Sequence, residues 1–425
     1  MKSLRHTAVP LLALTLLGLQ AGLAASPASA VGSIRYASPT GTTGQTCATP
    51  ATACNIEKAI NSAATDDEIV LAPGSYTPAS ALMNSAPHLN VHGTPGQPRP
   101  VVNTSTPIGL VLNGSLAKVS DLVLNHAGTA VALYTFSSNV VVERVEVHAS
   151  ANNAVACNPG VSGVFRDSLC VATGSGGKAV EIAYTGGGGT MRIRNVTGIA
   201  AASGTVGFAT HAGAATPLAV DVRNSIFQGS SGDVVSQSDG GGGTSTVTLQ
   251  SSNFDIATAT GAGATVTAAG TGTNQLAPPV FADTTSYHQA TTSPTIDKGV
   301  VDADLGTADL DGDARVTYTA PDIGVDEYRD VTPPDTVLDK TPKKRTFSHR
   351  AKFLFHATEA GATLICRMDK KPAVPCTASF SKRVRKAGKH TFSVVATDVK
   401  GNVDATPATY TWKVKKKRPH HQGHH

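Results

Sequence analysis

Val142-Glu143-Arg144, Phe165-Arg166-Asp167 and Ile193-Arg194-Asn195 are three copies of one short motif, and its recurrence decides the fold. An apolar residue is followed two places later by a polar one, most often Asp or Asn. The motif also starts at Val119, Val222 and Leu249, which are followed two places on by Asp121, Asn224 and Ser251. Successive copies lie 23, 23, 28, 29 and 27 residues apart. A period in the twenties, built from short β-rich runs, marks a solenoid whose units bury their apolar sides only against neighbours. The unequal steps assign the extra residues to loops leaving the stack. Glycine-rich runs at 186–189 and 240–243 read as such loops. Neither runs into Gly-Lys-Ser/Thr at a helix start, so neither is a phosphate cradle.

Composition agrees with an all-β chain. Among 425 residues there are 42 Gly and few aromatics, and long amphipathic helical patterns are missing. That profile suits strands joined by tight turns. One short helix is expected over 54–64, where Ile56, Ala59, Ile60 and Ala63 recur at helical spacing. It would cover the open end of the first coil, where uncovered strand edges invite aggregation. A buried strand follows at 68–76, stopped by Pro73-Gly74.

Residues 1–30 read as a signal peptide. Lys2 and Arg5 precede an apolar run at 11–23, and Ala28-Ser29-Ala30 is a small-residue cleavage site that starts the mature chain at Val31. The apolar run is short for a membrane span. The expected location is therefore secreted, extracellular or attached to the cell surface. Six cysteines fall into three close pairs, Cys47 with Cys54, Cys157 with Cys170, and Cys366 with Cys376. In an exported chain such pairs mean disulfides; zinc would need C-x-x-C-type spacing.

The net charge of +5 conceals a split. Residues 331–425 carry 20 Lys and Arg against 6 Asp and Glu, whereas 31–330 carry 13 against 24. An acidic body with a basic end is a statement about partners. Beyond the Val-Thr-Pro-Pro-Asp linker at 331–335, runs at 352–357, 363–367, 391–397 and 409–414 alternate as short strands of a small β-sandwich. The basic, His-rich tail at 415–425 follows.

The opening segment, the coils and the closing segment resemble secreted bacterial right-handed parallel β-helix proteins of the pectin-lyase-like group. The closing residues Ser293-Pro294-Thr295-Ile296-Asp297-Lys298-Gly299, Asp309-Leu310-Asp311-Gly312-Asp313-Ala314-Arg315 and Pro321-Asp322-Ile323-Gly324-Val325-Asp326-Glu327-Tyr328 are similar to the ending of "choice-of-anchor" surface proteins. Residues 360–376 and 390–404 resemble bacterial Ig-like repeats, which the resemblance marks as non-catalytic spacers or binding units. The implied organisation is a signal peptide at 1–30, a right-handed parallel β-helix at 31–330, an Ig-like β-sandwich at 331–414 and the tail at 415–425.

The motif's parity locates possible chemistry. If its first residue points inward, the neighbours on either side point outward, which aligns Arg166, Arg192, Arg194 and Arg223 on one face. Equivalent positions on adjacent coils are ~4.8 Å apart. Such a row is either a groove for a polyanion such as a uronic-acid polysaccharide, gripped through guanidinium–carboxylate pairs, or a solvated face balanced by Glu143, Glu181 and Asp221. Asp121, Asp167, Asn195 and Asn224 read as a side-chain ladder at a turn in preference to a catalytic cluster. Lyases of the superfamily need clustered acids for calcium and a basic proton abstractor, and hydrolases need two or three acids at set places. No matching signature stands here. Asp309, Asp311 and Asp313 offer oxygens at alternate positions, as calcium would want, but their spacing is not that of an EF-hand. A hydrogen-bonded closing loop is the other reading. His126 and His148, on adjacent coils, lack a third ligand.

These residues lead to a secreted, non-catalytic surface or matrix protein, a monomer without a required cofactor, whose β-helix presents a binding face for polysaccharide. The basic C-terminal module would adhere to an anionic cell-wall polymer. The alternative is a polysaccharide lyase or hydrolase acting on acidic glycans. Poor aromatic interleaving and export both argue against nucleic acid.

Overall fold

A computed structural model describes residues 32–184, 188–213, 217–239, 242–270 and 272–416. The expected signal peptide, most of the expected tail and parts of both glycine runs lie outside the described residues. The rest is nearly all β, and residues 34–268 form a right-handed parallel β-helix of about seven turns. One flank is a 13-stranded parallel sheet that includes Ile34–Thr42, Lys118–His126, Val140–Ala149, Gly163–Ala172, Gly189–Ala200 and Leu218–Arg223. The other is an 8-stranded sheet running from Leu82–Asn84 to Ala257–Thr260.

The motif has a backbone cause. Its first residues, Val119, Val142, Phe165, Ile193, Val222 and Leu249, pair in register from coil to coil and are all 0% exposed. Each such burial contributes ~1.5–3 kcal/mol. Two places on, Asp121, Arg144, Asp167, Asn195, Asn224 and Ser251 all have φ between 46° and 56°, the left-handed region. One left-handed residue bends the strand, so the next inward side chain comes three places after the first: Leu122, Val145, Ser168, Val196, Ser225 and Ser252 are all buried. Asn and Asp tolerate this conformation better than other non-glycine residues, which explains their prevalence. The bend also opens backbone amides that must find partners. Ser168 Oγ accepts the Val145 N–H at 3.2 Å and donates to the Arg166 carbonyl at 2.6 Å, and Ser225 and Ser252 repeat the pattern on later coils.

The first coil is covered by the helix Ile56–Asn61, shorter than expected, with Asn55 as its N-cap and Ile56, Ala59 and Ile60 buried. All three cysteine pairs form disulfides. Cys157–Cys170 joins the two flanks from inside the coil, where both residues are 0% exposed.

Residues 336–414 form a second hydrophobic cluster between a three-stranded and a five-stranded sheet. Phe353, Phe392 and Trp412 are its centre, with the two phenylalanine rings stacked at 4.0 Å. The runs expected to be strands lie within Arg350–Ala357, Thr363–Met368, Gly388–Thr397 and Ala408–Val414. Thr336–Lys340, Val374–Cys376 and Ser379–Arg383 are further strands, less legible because their edge positions carry charged or turn-forming residues.

Replacing Asn224 with Val puts a β-branched residue at φ 51° and removes the two bonds its amide makes to Val300. The expected loss is about 3 kcal/mol in urea unfolding of the intact chain. Asn224→Gly, which keeps the conformation but not the bonds, should fall between Val and wild type.

Candidate functional site

The row of left-handed residues is a docking seam. After the last coil the chain doubles back along this flank as a segment, 297–327, with almost no regular structure. Asn224 exchanges bonds with Val300, its Nδ2 donating to the carbonyl at 2.8 Å and its Oδ1 accepting the N–H at 2.7 Å. Gly306 then passes so close to Asp167 that a Cβ there would stand 1.9 Å from Oδ2. On the return, Asn195 Nδ2 donates to the carbonyl of Asp322 at 2.9 Å, and the Gly324 N–H reaches the Asn224 carbonyl at 2.8 Å. Gly324, at φ 115°, leaves no room for a Cβ beside Ile226. Among the described residues the expected side-chain ladder forms in two places, Asn224 Nδ2 to Asn195 Oδ1 at 3.3 Å and Arg144 to both oxygens of Asp121 at 2.7 and 2.9 Å. Asp167, Asn195 and Asn224 also serve the closing segment.

Beneath the segment lies a buried ion pair. Arg315 is 1% exposed and Asp167 is 0% exposed, with Nη2 2.8 Å from Oδ1. The approach is poorly aligned for a hydrogen bond, leaving both Asp167 oxygens without one, so the contact is mainly Coulombic. Burial pushes Asp167 up to about 6 against the pull of Arg315. Burial likewise raises Asp322 and Asp326 to about 6 and Glu327 to about 8, although Glu327 accepts the N–H groups of Asp322 and Thr317.

The arginines stand in one row, since the register aligns Glu143, Arg166, Arg194 and Arg223 on successive coils. Their guanidiniums meet carboxylates of the same chain. Arg194 is 2% exposed, holding Asp302 at 2.6 Å and Asp221 at 2.7 Å. Arg166 holds Glu143 at 2.6 Å, Arg192 holds Asp304 at 2.8 Å, and Arg223 lies 3.3 Å from Asp302. Arg166, Arg192 and Arg223 keep solvent-facing edges, with side chains 26%, 40% and 31% exposed. Of the three acids expected to balance the row, Glu143 and Asp221 do so; Glu181 pairs with Lys178.

The three aspartates of the acid run are separately engaged. Asp309 caps its own loop, accepting the N–H groups of Asp311, Asp313 and Glu327. Asp313 turns to Arg329, and Asp311 to His288 at 2.7 Å. A group close enough to share one ion is His288, Asp311 and Asp326, of which the sequence suggested one. His126 and His148 part company: His126 is buried against Thr104, while His148 meets Glu146.

Beside the clasp a cleft of about 650 Å³ opens between the loop at 94–99 and the tip at 308–312. Arg99, Asp121, Arg144 and Asp311 supply its charge. Burial pushes Asp121 up, but two bonds from Arg144 outweigh it and hold the carboxyl below its ordinary range. Glu146, just outside, is also held low, as bonds from His148 and the charge of Arg99 overcome burial. Such carboxylates accept hydrogen bonds but are poor proton donors at neutral pH. Sequence reading missed this cleft and Arg315, since partners 148 residues apart (Asp167 and Arg315) or 212 apart (Arg99 and Asp311) share no local pattern.

The class of protein these features define is a parallel β-helix whose last segment doubles back as a clasp. No protein-family model matches the chain, and no curated protein sequence matches it either. Among solved structures it is similar to the pectate lyase Pel9A, at 14% identity and a TM-score of 0.38, over 70% of this chain and 96% of that one. This likeness carries no functional residue across.

Two outcomes follow from the clasp. Arg315→Leu, which strands Asp167 in the interior, should cost about 3–5 kcal/mol, and adding Asp167→Asn should restore most of it. Because burial raises the four acids, their contribution to stability is complete below about pH 4 and lost as pH rises, through about 6 for Asp167, Asp322 and Asp326 and about 8 for Glu327. Hydrogen exchange in 297–327, compared at equal intrinsic rate, should therefore quicken from about pH 5 to about pH 8.5. Glu327→Gln should flatten the upper half of that change.

Proposed function

We propose that this chain is an exported, non-catalytic surface or matrix protein that engages polysaccharide. The β-helix presents a binding flank, and the C-terminal sheet unit, read as an Ig-like module, adheres to anionic polymer. Three disulfides suit an oxidising, extracellular setting. Among the described residues no helix is long and apolar enough to cross a membrane.

The observation that carries the non-catalytic reading is the engagement of the flank's carboxylates. Asp121, Glu143, Glu146, Asp221, Asp302 and Asp304 all face arginines within 4.0 Å, and Asp309 and Asp322 accept backbone N–H groups. Acid–base hydrolysis needs accessible carboxyls poised to exchange protons, and a calcium-assisted lyase needs acids gathered and unneutralised. The acids that burial raises, Asp167, Asp322, Asp326 and Glu327, are shut beneath or within the closing segment. Paired charges in an open cleft can instead bond to sugar hydroxyls and exchange one carboxylate partner for another. The contact is assigned to the cleft of Arg99, Asp121, Arg144 and Asp311 and to the exposed edges of Arg166, Arg192 and Arg223.

The intact chain should be retarded in gels containing polygalacturonate or alginate and released by salt. Incubation with the same polymers, with and without Ca²⁺, should yield neither unsaturated products absorbing in the ultraviolet nor new reducing ends. Product formation would replace this reading with a lyase or hydrolase, and absence of retardation by any acidic glycan would end it.

A further inference from the structure

The C-terminal sheet unit has two poles of opposite character. Thr336, Ala357, Thr363, Thr397 and Ala408 mark one end, as the strand registers require. This end meets the closing segment of the β-helix. Asn402 Nδ2 donates to the Asp330 carbonyl at 2.9 Å, and Lys400 lies 3.2 Å from the centre of the Tyr318 ring. Four of the unit's six acids, Asp335, Glu359, Asp398 and Asp404, stand here. The opposite pole carries Met368, Arg350, Arg383, Lys389, Lys413 and the exit of the chain at 414–416. Its one acid, Asp369, is bonded to His390 at 2.9 Å and to the Thr391 N–H.

At this distal pole like charges stand directly opposite each other in both sheets. Arg350 pairs in register with Arg383 across the three-stranded sheet. In the other sheet Lys413 is opposed on one side by Lys389 and on the other by Arg345, making a row of three. All five are exposed. Among the described residues none of them lies within 4.0 Å of a carboxylate, in contrast to the arginines of the β-helix flank. Directly opposed like charges destabilise a sheet, and alternation with acids would remove the cost. Their retention without counter-charges is what a binding surface for a polyanion requires.

The surface is also concave. A cleft of about 590 Å³ is lined by Lys371, Lys382, Arg383, Arg385, Lys386 and His390. Two more, of about 520 and 400 Å³, adjoin it and share Arg383. Mutual bonds between His349 and Val384, at 2.7 and 2.8 Å, fix the edge where they meet. Consecutive clefts suit an extended polymer better than a single small anion. Among the described residues Phe347, 54% exposed, is the pole's one large exposed ring, with Lys415 Nζ 5.4 Å over one face. It can take one sugar face, whereas single-stranded nucleic acid needs successive stacking platforms and a membrane surface needs a broad apolar face.

We propose that this distal cationic pole is a binding site for a linear acidic polysaccharide, held by Arg350, Arg383, Lys389, Lys413 and Arg345. The site rests on the polysaccharide reading above and adds an orientation to it. Attachment at this pole directs the β-helix away from that polymer, because the unit meets the β-helix at its other end, and leaves the flank free for a second chain.

The test uses the mature full chain. Affinity for polygalacturonate and dextran sulfate is compared between wild type, the quadruple variant Arg350→Ala/Arg383→Ala/Lys389→Ala/Lys413→Ala, and Lys118→Ala/Lys298→Ala as a β-helix control. The quadruple variant should bind at least about tenfold more weakly at low salt, while the control should match wild type. Wild-type affinity should fall steeply from about 50 to about 500 mM salt. The quadruple variant should melt no lower than wild type, because opposed charges have been removed, and added polymer should raise the melting temperature of wild type and control more than that of the quadruple variant. Equal binding by the quadruple variant overturns the assignment of the pole but leaves the polysaccharide reading standing. Failure of wild type to bind any acidic glycan ends both. Tighter wild-type binding to duplex DNA or to phosphatidylserine vesicles at matched salt overturns the ligand class.

Discussion

A left-handed residue at the same motif position on six successive coils is the constraint on which the rest of this structure depends. It bends the larger sheet on each of these coils, brings two inward side chains three places apart, and exposes a seam of polar groups along the flank. Serines after the bend on three coils satisfy the opened amides. The remaining polar groups, on Asp167, Asn195 and Asn224, hold the closing segment. A recurring solution to a local backbone problem thus becomes the attachment line for a distant part of the chain.

Charge is handled in two ways in the two units. Along the β-helix, Arg194 sits 2% exposed between Asp221 and Asp302, and its neighbours are similarly matched. A buried guanidinium is tolerable only with such partners, so the acids at 302 and 304 are the condition under which the row exists. In the C-terminal unit, Arg350 faces Arg383 and Lys413 faces Lys389 with no acid between them. The same type of register therefore makes a closed interface in one place and an open, charged surface in the other.

Much of the fold is legible in the amino-acid sequence alone. The motif period, the inward parity of Val142, Phe165 and Ile193, and the alignment of Arg166, Arg194 and Arg223 follow from a repeat that advances in register. The three cysteine pairs were legible because each closes a short loop. The coiling of 297–327 was not, since a segment without regular periodicity leaves no hydrophobic pattern to follow. Its contacts with Arg99, Asp167 and Asn224 span sequence separations no local signal covers. The motif's polar position was read as a ladder from residue type, but only the dihedral angles explain why Arg144 and Ser251 share it with Asp and Asn.

The amino-acid sequence by itself determined the solenoid, its register, the disulfide pairs and the segregation of acidic and basic halves, because these depend on residue type and regular spacing. Tertiary structure alone decided which charges are spent on each other and which remain open. That choice depends on the path of an irregular segment, and Coulombic pairing acts through distance in space, without regard to separation along the chain.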